Sequence, residues 1–523
     1  MPRNSAGRRR DSVSEEPVDP TRVTRLDEGV EPGVWRYARA ERAELMIDAA
    51  DYFAAMQTAM LKARHRIFLV GWDFDTRIHL AAGRRWWQRT YKDEYPSRLG
   101  SFIAWLSRNR PTMEIRILKW SFGVFKFAVR GSMWWDLVRW ARHRRIDFKF
   151  DSAHPVGCCH HQKIAVLDNK LAVCGGIDMT VRRWDTREHK EVDERRTTPR
   201  GDQYGPWHDA SMMMEGDVAE ALSELGRDRW IKAGGVPLLP LKPREESLWP
   251  EGLRAGFENV EIGIARTCSA YREWDEVTEI AELFLTHIKR ARHHIYAESQ
   301  YFASRAVAEA IMARLAEDDP PEIVIVHPQH ADGWLEQQAM DHARAELVKC
   351  IEAAPNGDRF SIWCPYTGET PIYVHAKIMI VDDQILRIGS ANLNNRSLGL
   401  DSECDVFIDS TREGNSHAAE EIARIRRSLL AEHCGVEEDA MPKLLDRHGS
   451  MAALIAANGG GARALRRYVP PELDTVRETV VRSEILDPEN AETMFEPFAE
   501  GGLFRKGSRL GRIRARLRRK KKK

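Results

Sequence analysis

The stretch HHQKIAVLD at residues 160–168 returns as VHAKIMIVD at residues 374–382, and this repeat constrains the chain more than any other feature. His161, Lys163 and Asp168 recur as His375, Lys377 and Asp382, each 214 residues later; Gly175 recurs as Gly389, and Asp178 is replaced by Asn392. Upstream, KARHRIFLVGWDF (62–74) is similar to RARHHIYAESQYF (290–302) at an offset of 228, so the first half holds 14 extra residues between its two blocks. Ordered similarity in two separate blocks marks an internal duplication, and hence a body of two like halves.

Each half reads alike. A helix-like segment (YFAAMQTAMLKARHR; EVTEIAELFLTHIKRARHH) leads into a short apolar strand (IFLVGW; IYAES). A further helix and strand follow (IRILKW; EIVIVH), and then the strands that carry the repeated motif. Alternating helices and apolar strands predict an α/β architecture with a largely buried sheet. The expected organisation is a disordered leader (1–30), a first lobe (31–236), a Pro- and Gly-rich linker (237–254), a second lobe (255–435), a helical extension (436–503) and a basic tail (504–523).

Composition narrows the class. With 43% hydrophobic and 30% charged residues, the chain resembles an ordinary globular protein. No window approaches the ~20 apolar residues of a membrane span. The first residues are basic but lack an apolar core, which argues against a cleavable secretory signal. The eight cysteines show no paired or zinc-type spacing, which suits reduced, buried thiols. These signs favour a cytoplasmic protein, or one peripheral to the inner membrane face; secretion by an unrecognised route is the alternative. The formal net charge of +1 hides a division: residues 501–523 hold 12 Lys or Arg and no acid, leaving 68 basic against 79 acidic residues in 1–500, a difference of −11. A cationic tail on an acidic body suits contact with an anionic surface, lipid or nucleic acid.

The motif carries the chemistry. On a strand, residues two apart share a face, so each histidine and lysine point the same way. A lysine there offers a charge and three donors to phosphate oxygens, and an imidazole can attack phosphorus or move protons. Ser390 and Asn392 add neutral hydrogen bonds. Two copies supply what phosphodiester exchange needs: a nucleophile, a general acid and cations for the developing charge. No metal-ligand spacing accompanies the motifs, so the expectation is a reaction with no metal and no cofactor.

The paired HxK(x)4D motifs resemble the signature of the phospholipase D superfamily, over about residues 30–435. GGID (175–178), GPWHDASMMMEG (205–216), YAESQYF (296–302) and GSANLNNRSLGLDSE (389–403) resemble segments of its phosphatidylcholine-type enzymes. The resemblance implies two fused, pseudo-twofold-related lobes, each an α/β/α layered sheet, with the site between them. It implies a phosphohistidine intermediate, with His161 as nucleophile and His375 as general acid, the roles being exchangeable by motif symmetry. Lys163 and Lys377 would hold the phosphate, with Ser390, Asn392, Gly176 and Gln300 lining the substrate site. Asp168 and Asp382 complete the candidate catalytic motifs as structural supports. Asp209, Glu403 and Glu298 are candidates to orient the imidazoles from behind. Asp178 would turn away from the phosphate and bond backbone or arginine.

The function so implied is hydrolysis of glycerophospholipids such as phosphatidylcholine to phosphatidic acid and the free headgroup, with transphosphatidylation when an alcohol replaces water. Alternatives are a cardiolipin-synthase-like phosphatidyltransferase, a phosphodiesterase or nuclease of the same superfamily, and a non-enzymatic scaffold on anionic surfaces. The expected partner is a phospholipid surface met by the body and by tail 504–523; nucleic acid is disfavoured, and oligomeric state is left open. Trp–Arg mixtures at 84–95 and 131–145 suit either a membrane interface or a packed helix.

Overall fold

The computed structural model describes residues 31–85, 94–120, 133–242, 244–330 and 334–470. The expected leader and basic tail lie outside the described residues, as do parts of both Trp–Arg stretches.

The duplication is written into the sheet. The first half holds strands β1 (Arg36–Ile47), β2 (Arg66–Gly71), β3 (Glu114–Trp120), β4 (Ile146–Asp151), β5 (Ile164–Leu167), β6 (Leu171–Gly175) and β7 (Ala210–Glu215). The second holds β8 (Phe257–Cys268), β9 (His294–Glu298), β10 (Glu322–Val326), β11 (Phe360–Thr367), β12 (Ile378–Val381), β13 (Ile385–Gly389) and β14 (Glu403–Asp409). Hydrogen-bonded neighbours run β4-β3-β2-β5-β6-β7-β1 in the first half. They continue β8-β14-β13-β12-β9-β10-β11 in the second, the same order reversed. β1 and β8 pair antiparallel where the halves meet. The outer three strands of each half are parallel, the geometry that helical crossovers impose.

Helices cover both faces of each half, so the strands are apolar on both sides. α1 (Ala49–Lys62), α2 (Leu99–Asn109) and α3 (Met133–Ala141) cover the outer face of the first half. α4 (Asp217–Lys232) follows β7. α5 (Glu279–Arg290), α6 (Arg305–Leu315) and α7 (Trp334–Glu352) serve the second half, and α8 (Ala419–Cys434) follows β14. Side chains alternate between cores: Ala165 and Leu167 pack outward with Phe53 and Phe102, whereas Ile164 and Val166 join the central core. In the second half Met379 and Val381 pack outward with Leu283, while Ile378 and Ile380 turn inward. The central core unites Cys174 and Met212 of one half with Ile388 and Cys404 of the other, flanked by Leu222 of α4 and Leu429 of α8. The fold is α/β with helices on both sheet faces.

Beyond α8, α9 (Met441–His448) and α10 (Met451–Ala457) lead to β15 (Arg463–Arg467), which pairs antiparallel with β11. The extension read as helical thus ends its described part in a strand, which covers an otherwise open sheet edge. No helix among the described residues is long and apolar enough to cross a membrane.

The motif aspartates brace the hairpins that carry the motif. Asp168 and Asp382 have φ of 52° and 54°, each opening a tight turn with the next residue also left-handed, a conformation Asp and Asn tolerate best. The Asp168 carboxylate accepts the backbone N–H groups of Arg64, His65 and Arg66 at 2.6, 2.7 and 2.7 Å. Asp382 accepts those of Arg292, His293 and His294 at 2.6, 2.8 and 2.8 Å. Each therefore ties its β5–β6 or β12–β13 hairpin to the start of β2 or β9, at the end of the strand away from the histidine. Asp168 is buried, and Asp382 is partly exposed with two solvent-reachable donors. Asp168→Ala is expected to lower stability by about 3 kcal/mol and Asp382→Ala by about half that, because unmade buried hydrogen bonds cost most where water cannot replace them. Urea unfolding of both variants checks the order.

Candidate active site

The two halves exchange their motifs. The backbone N–H of His161 donates to Ser402 O at 2.9 Å, and that of Ser402 donates to Cys159 O at 2.9 Å. In mirror fashion, Tyr373–Val374 runs parallel to Trp207–His208, and His375 N–H donates to His208 O at 2.7 Å. His161 and Lys163 consequently lie on the extended lead-in to β5, and His375 and Lys377 on the lead-in to β12, rather than within the strands as expected. The backbone N–H of each histidine is taken by the opposite half, whereas the Lys377 carbonyl accepts Gly389 N–H of its own half at 3.3 Å.

The imidazoles follow the same exchange. His161 Nδ1 lies 3.0 Å from both carboxylate oxygens of Glu403, which opens β14 in the second half. His375 Nδ1 lies 2.7 Å from Asp209 Oδ2, just before β7 in the first half. When ionised, each carboxylate accepts Nδ1–H and leaves Nε2 of a neutral ring free of a proton. The lysines lie beside them, both buried. Lys163 Nζ donates to His161 O at 3.0 Å and sits 3.3 Å from Asp178 Oδ2. Lys377 Nζ donates to His375 O at 2.5 Å and to Gln300 Oε1 at 3.3 Å.

The two motifs are electrostatically coupled. Burial, then Lys163 and Lys377, hold His161 well below the usual imidazole range. Burial, then Lys377, Arg183, Lys163 and His161, do the same to His375. Each ring thus feels the other motif's lysine. Both rings are neutral in the ligand-free site, and an anion placed between the lysines offsets their charge and raises the rings' proton affinity.

The duplicated halves are chemically unequal. A Cβ on Gly176 would stand 2.1 Å from Asp209 Oδ1, so the Asp209 carboxylate fills the space a side chain would need. At the equivalent position Ser390 Oγ donates to Glu403 Oε2 at 2.5 Å, and Ser397 Oγ donates to Glu403 Oε1 at 2.8 Å. Ser390, expected to meet substrate, is therefore engaged behind His161. Asn392 is buried with Oδ1 lacking a hydrogen-bond partner among the described residues. Asp178 does accept backbone N–H groups, from Trp72 at 3.0 Å and Asp73 at 3.2 Å, but it does not turn away. Its other oxygen faces Lys163, which helps stabilise a buried carboxylate. Glu298 lies one layer behind, accepting from Tyr296 OH at 2.6 Å and meeting His208 Nε2 at 2.8 Å and His433 Nε2 at 3.0 Å.

A family model described as cardiolipin synthase, PLD-like domain, matches residues 284–426. The chain is 24% identical over 480 residues to phospholipase D A of Dictyostelium discoideum, covering 75% of this chain and 35% of that protein. It is 24% identical over 404 residues to phospholipase D alpha 1 of Zea mays, covering 54% and 50% respectively. Residues 284–426 thus match a phospholipase D-like domain, and the chain is similar to phospholipases D over most of its length. It spans about a third to a half of the length of these relatives. Phosphatidylserine synthase of Haemophilus influenzae superposes with a TM-score of 0.48 at 12% identity, covering 81% of this chain and 96% of that one.

Arg183, Trp207, Trp72 and Trp120 join Gln300, which the sequence had already marked, at the candidate site. The Arg183 guanidinium lies 4.2 Å from the Trp207 ring centroid, and that ring lies 5.3 Å from the His375 ring. Trp72 meets the His161 ring edge-on at 6.2 Å and stacks on Trp120. Gln300 Nε2 donates to Tyr301 OH at 3.1 Å and Tyr373 OH at 2.9 Å. Trp72 and Gln300 are repeat equivalents, so the 228-residue offset itself could have flagged Trp72. Arg183 had no such signal.

Burial pushes the Glu403 carboxyl up to about 8, with Lys163 and the Ser390 hydroxyl opposing. The carboxyl resonance that disappears in Glu403→Gln is therefore expected to titrate near pH 8 by carbon NMR. Lys163→Met should move it higher, because removing the ammonium removes the charge that favours carboxylate; a midpoint in the ordinary range of about 4 to 5 contradicts this.

Proposed function

We propose that the chain is a phospholipase D acting on glycerophospholipids such as phosphatidylcholine through a phosphohistidine intermediate. The observation that carries the reading is the crossed pair of imidazole–carboxylate contacts, His161–Glu403 and His375–Asp209, flanked by Lys163 and Lys377. With Glu403 ionised, Nδ1–H of His161 donates to it and Nε2 keeps its lone pair for phosphorus. The His161 side chain is 13% exposed against 5% for His375, which supports His161 as the nucleophile.

In the first step a P–N bond forms to His161 Nε2 while the P–O bond to the headgroup breaks. His375, protonated in the presence of the phosphodiester anion, gives its proton to the leaving oxygen. In the second step neutral His375 takes a proton from water, the water oxygen attacks phosphorus and the P–N bond breaks. Phosphatidic acid leaves and both rings return to their starting states. Lys163 and Lys377 balance the charge that builds on the non-bridging oxygens. Asp209 and Glu403 stabilise whichever ring is cationic.

Phosphatidyl transfer to an alcohol is the second reading, favoured by the cardiolipin synthase description of the matching family model. It differs only in what enters at the second step. A lipid surface as partner is supported by Trp134 and Trp135 on α3, 61% and 72% exposed, with Arg139, Arg142, Arg144 and Arg145 close in sequence.

Incubation of the full chain with mixed-headgroup liposomes and ethanol, read by lipid mass spectrometry, tests both readings. The expected products are phosphatidic acid and phosphatidylethanol, falling at least ~10²-fold in His161→Ala and in His375→Ala. Glu403→Gln should remove the limb of kcat/KM that rises through about pH 8. Lipid left intact while DNA or RNA is cut would overturn the substrate assignment.

A further inference from the structure

Behind Asp209 lies a second buried cluster for which the proposed reaction has no use. Asp48, His189, His208 and Glu432 are each 0–5% exposed, and one ligand atom from each lies within 4.8 Å of the others. They come from four distant points: the end of β1, the loop after β6, the residue before Asp209, and α8 of the second half. His189 Nε2 is 3.0 Å from Glu432 Oε1 and 3.4 Å from Asp48 Oδ2. His208 Nδ1 is 3.1 Å from Glu432 Oε1 and 3.3 Å from Asp48 Oδ1. Donor atoms around a tetrahedral zinc ion with bonds of ~2.0 Å stand ~3.3 Å apart; both contacts to Glu432 and the contact of one histidine to each Asp48 oxygen lie near that edge, and the remaining edges lie within 4.8 Å.

Two further observations point inward. Asp48 Oδ2 and His208 Nδ1 are fully buried and make no hydrogen bond among the described residues. Each histidine also presents its other nitrogen to a carboxylate: His189 Nδ1 to Asp185 Oδ2 at 3.0 Å, and His208 Nε2 to Glu298 Oε2 at 2.8 Å. Those carboxylates are themselves fixed, Asp185 by Arg196 and the Trp207 N–H, Glu298 by Tyr296 OH. Carboxylates behind both imidazoles are the arrangement that orients histidines toward a metal. Arg187 holds Glu432 by Oε2 at 2.5 Å, which directs Oε1 to the centre.

We propose that Asp48, His189, His208 and Glu432 bind one divalent transition-metal ion, zinc before others, as a structural centre joining the two halves. Two imidazoles with two carboxylates suit zinc better than calcium or magnesium, which take oxygen ligands in larger numbers. Four protein ligands close the coordination shell, so the ion serves structure. Its reach to the candidate active site is short. Asp48 Oδ1 accepts the N–H of Asp209 at 3.1 Å, and His208 O accepts that of His375 at 2.7 Å. The centre thereby fixes the segment that orients His375. Ser402 occupies the place of His208 in the other half, so the site is unique to one side of the pseudo-twofold.

The test uses the full chain produced in zinc-supplemented medium and purified without chelator or histidine tag. Elemental mass spectrometry should find about one zinc per folded chain, surviving gel filtration. Refolding with cobalt instead should give visible absorption with the intensity of a tetrahedral site. His189→Gln and Glu432→Gln should each drop the metal content below ~0.2 per chain. If these variants do not fold, the wild-type cobalt spectrum decides. A folded, monodisperse wild-type chain holding under ~0.1 equivalent of any divalent ion after refolding with zinc would overturn the proposal, and a network of protonated imidazoles would then fill the cluster. Metal content is read without substrate, so this outcome is separate from that of the lipid assay.

Discussion

Everything at the candidate site depends on the exchange of carboxylates between halves. A buried imidazole needs a fixed partner on Nδ1, and here neither half supplies its own: Glu403 serves His161 and Asp209 serves His375. The exchange requires β7 of one half and β14 of the other to approach the opposite motif. That is what the central core and the pairing of β1 with β8 accomplish. Neither half alone supplies both an imidazole and its carboxylate partner.

The same exchange lets one repeat yield two different histidines. Asp209 is short, sits against Gly176, and leaves no space for hydroxyl support. Glu403 is one carbon longer and takes hydroxyls from Ser390 and Ser397. Burial raises its proton affinity into the neutral range, whereas burial first and the lysines next depress both imidazoles. Small sequence differences between the halves, Gly for Ser and Asp for Asn, thus become differences in proton affinity and in what backs each ring.

Much of this was legible in the sequence because it is written in local periodicity. The duplication, the short apolar strands and the turn aspartates each occupy contiguous residues, and the strands are buried on both faces. What escaped was set by distance in the chain. The motif histidine and lysine read as strand residues, yet they precede the strands, and the histidine backbones pair with Ser402 and His208 across the halves. Asp178 seemed out of place beside a phosphate, but it meets Lys163 once folded. Arg183 lies on no periodic stripe, and the Asp48, His189, His208 and Glu432 cluster has no spacing pattern since its members come from four separate elements. The strand β15 was hidden in a basic stretch, RALRR, whose role is to cover an edge rather than fill a core.

In the proposed reaction His161, the more exposed ring, is the nucleophile and His375 the acid. The direct measurement is rapid acid-free quenching with a short-chain phosphatidyl substrate bearing an activated leaving group, followed by peptide mass spectrometry under conditions that preserve phosphohistidine. The account predicts a phosphatidyl adduct on His161, still formed in His375→Ala because an activated leaving group needs no proton, and now slow to hydrolyse. An adduct on His375 instead, or turnover with no adduct on either ring, would contradict it.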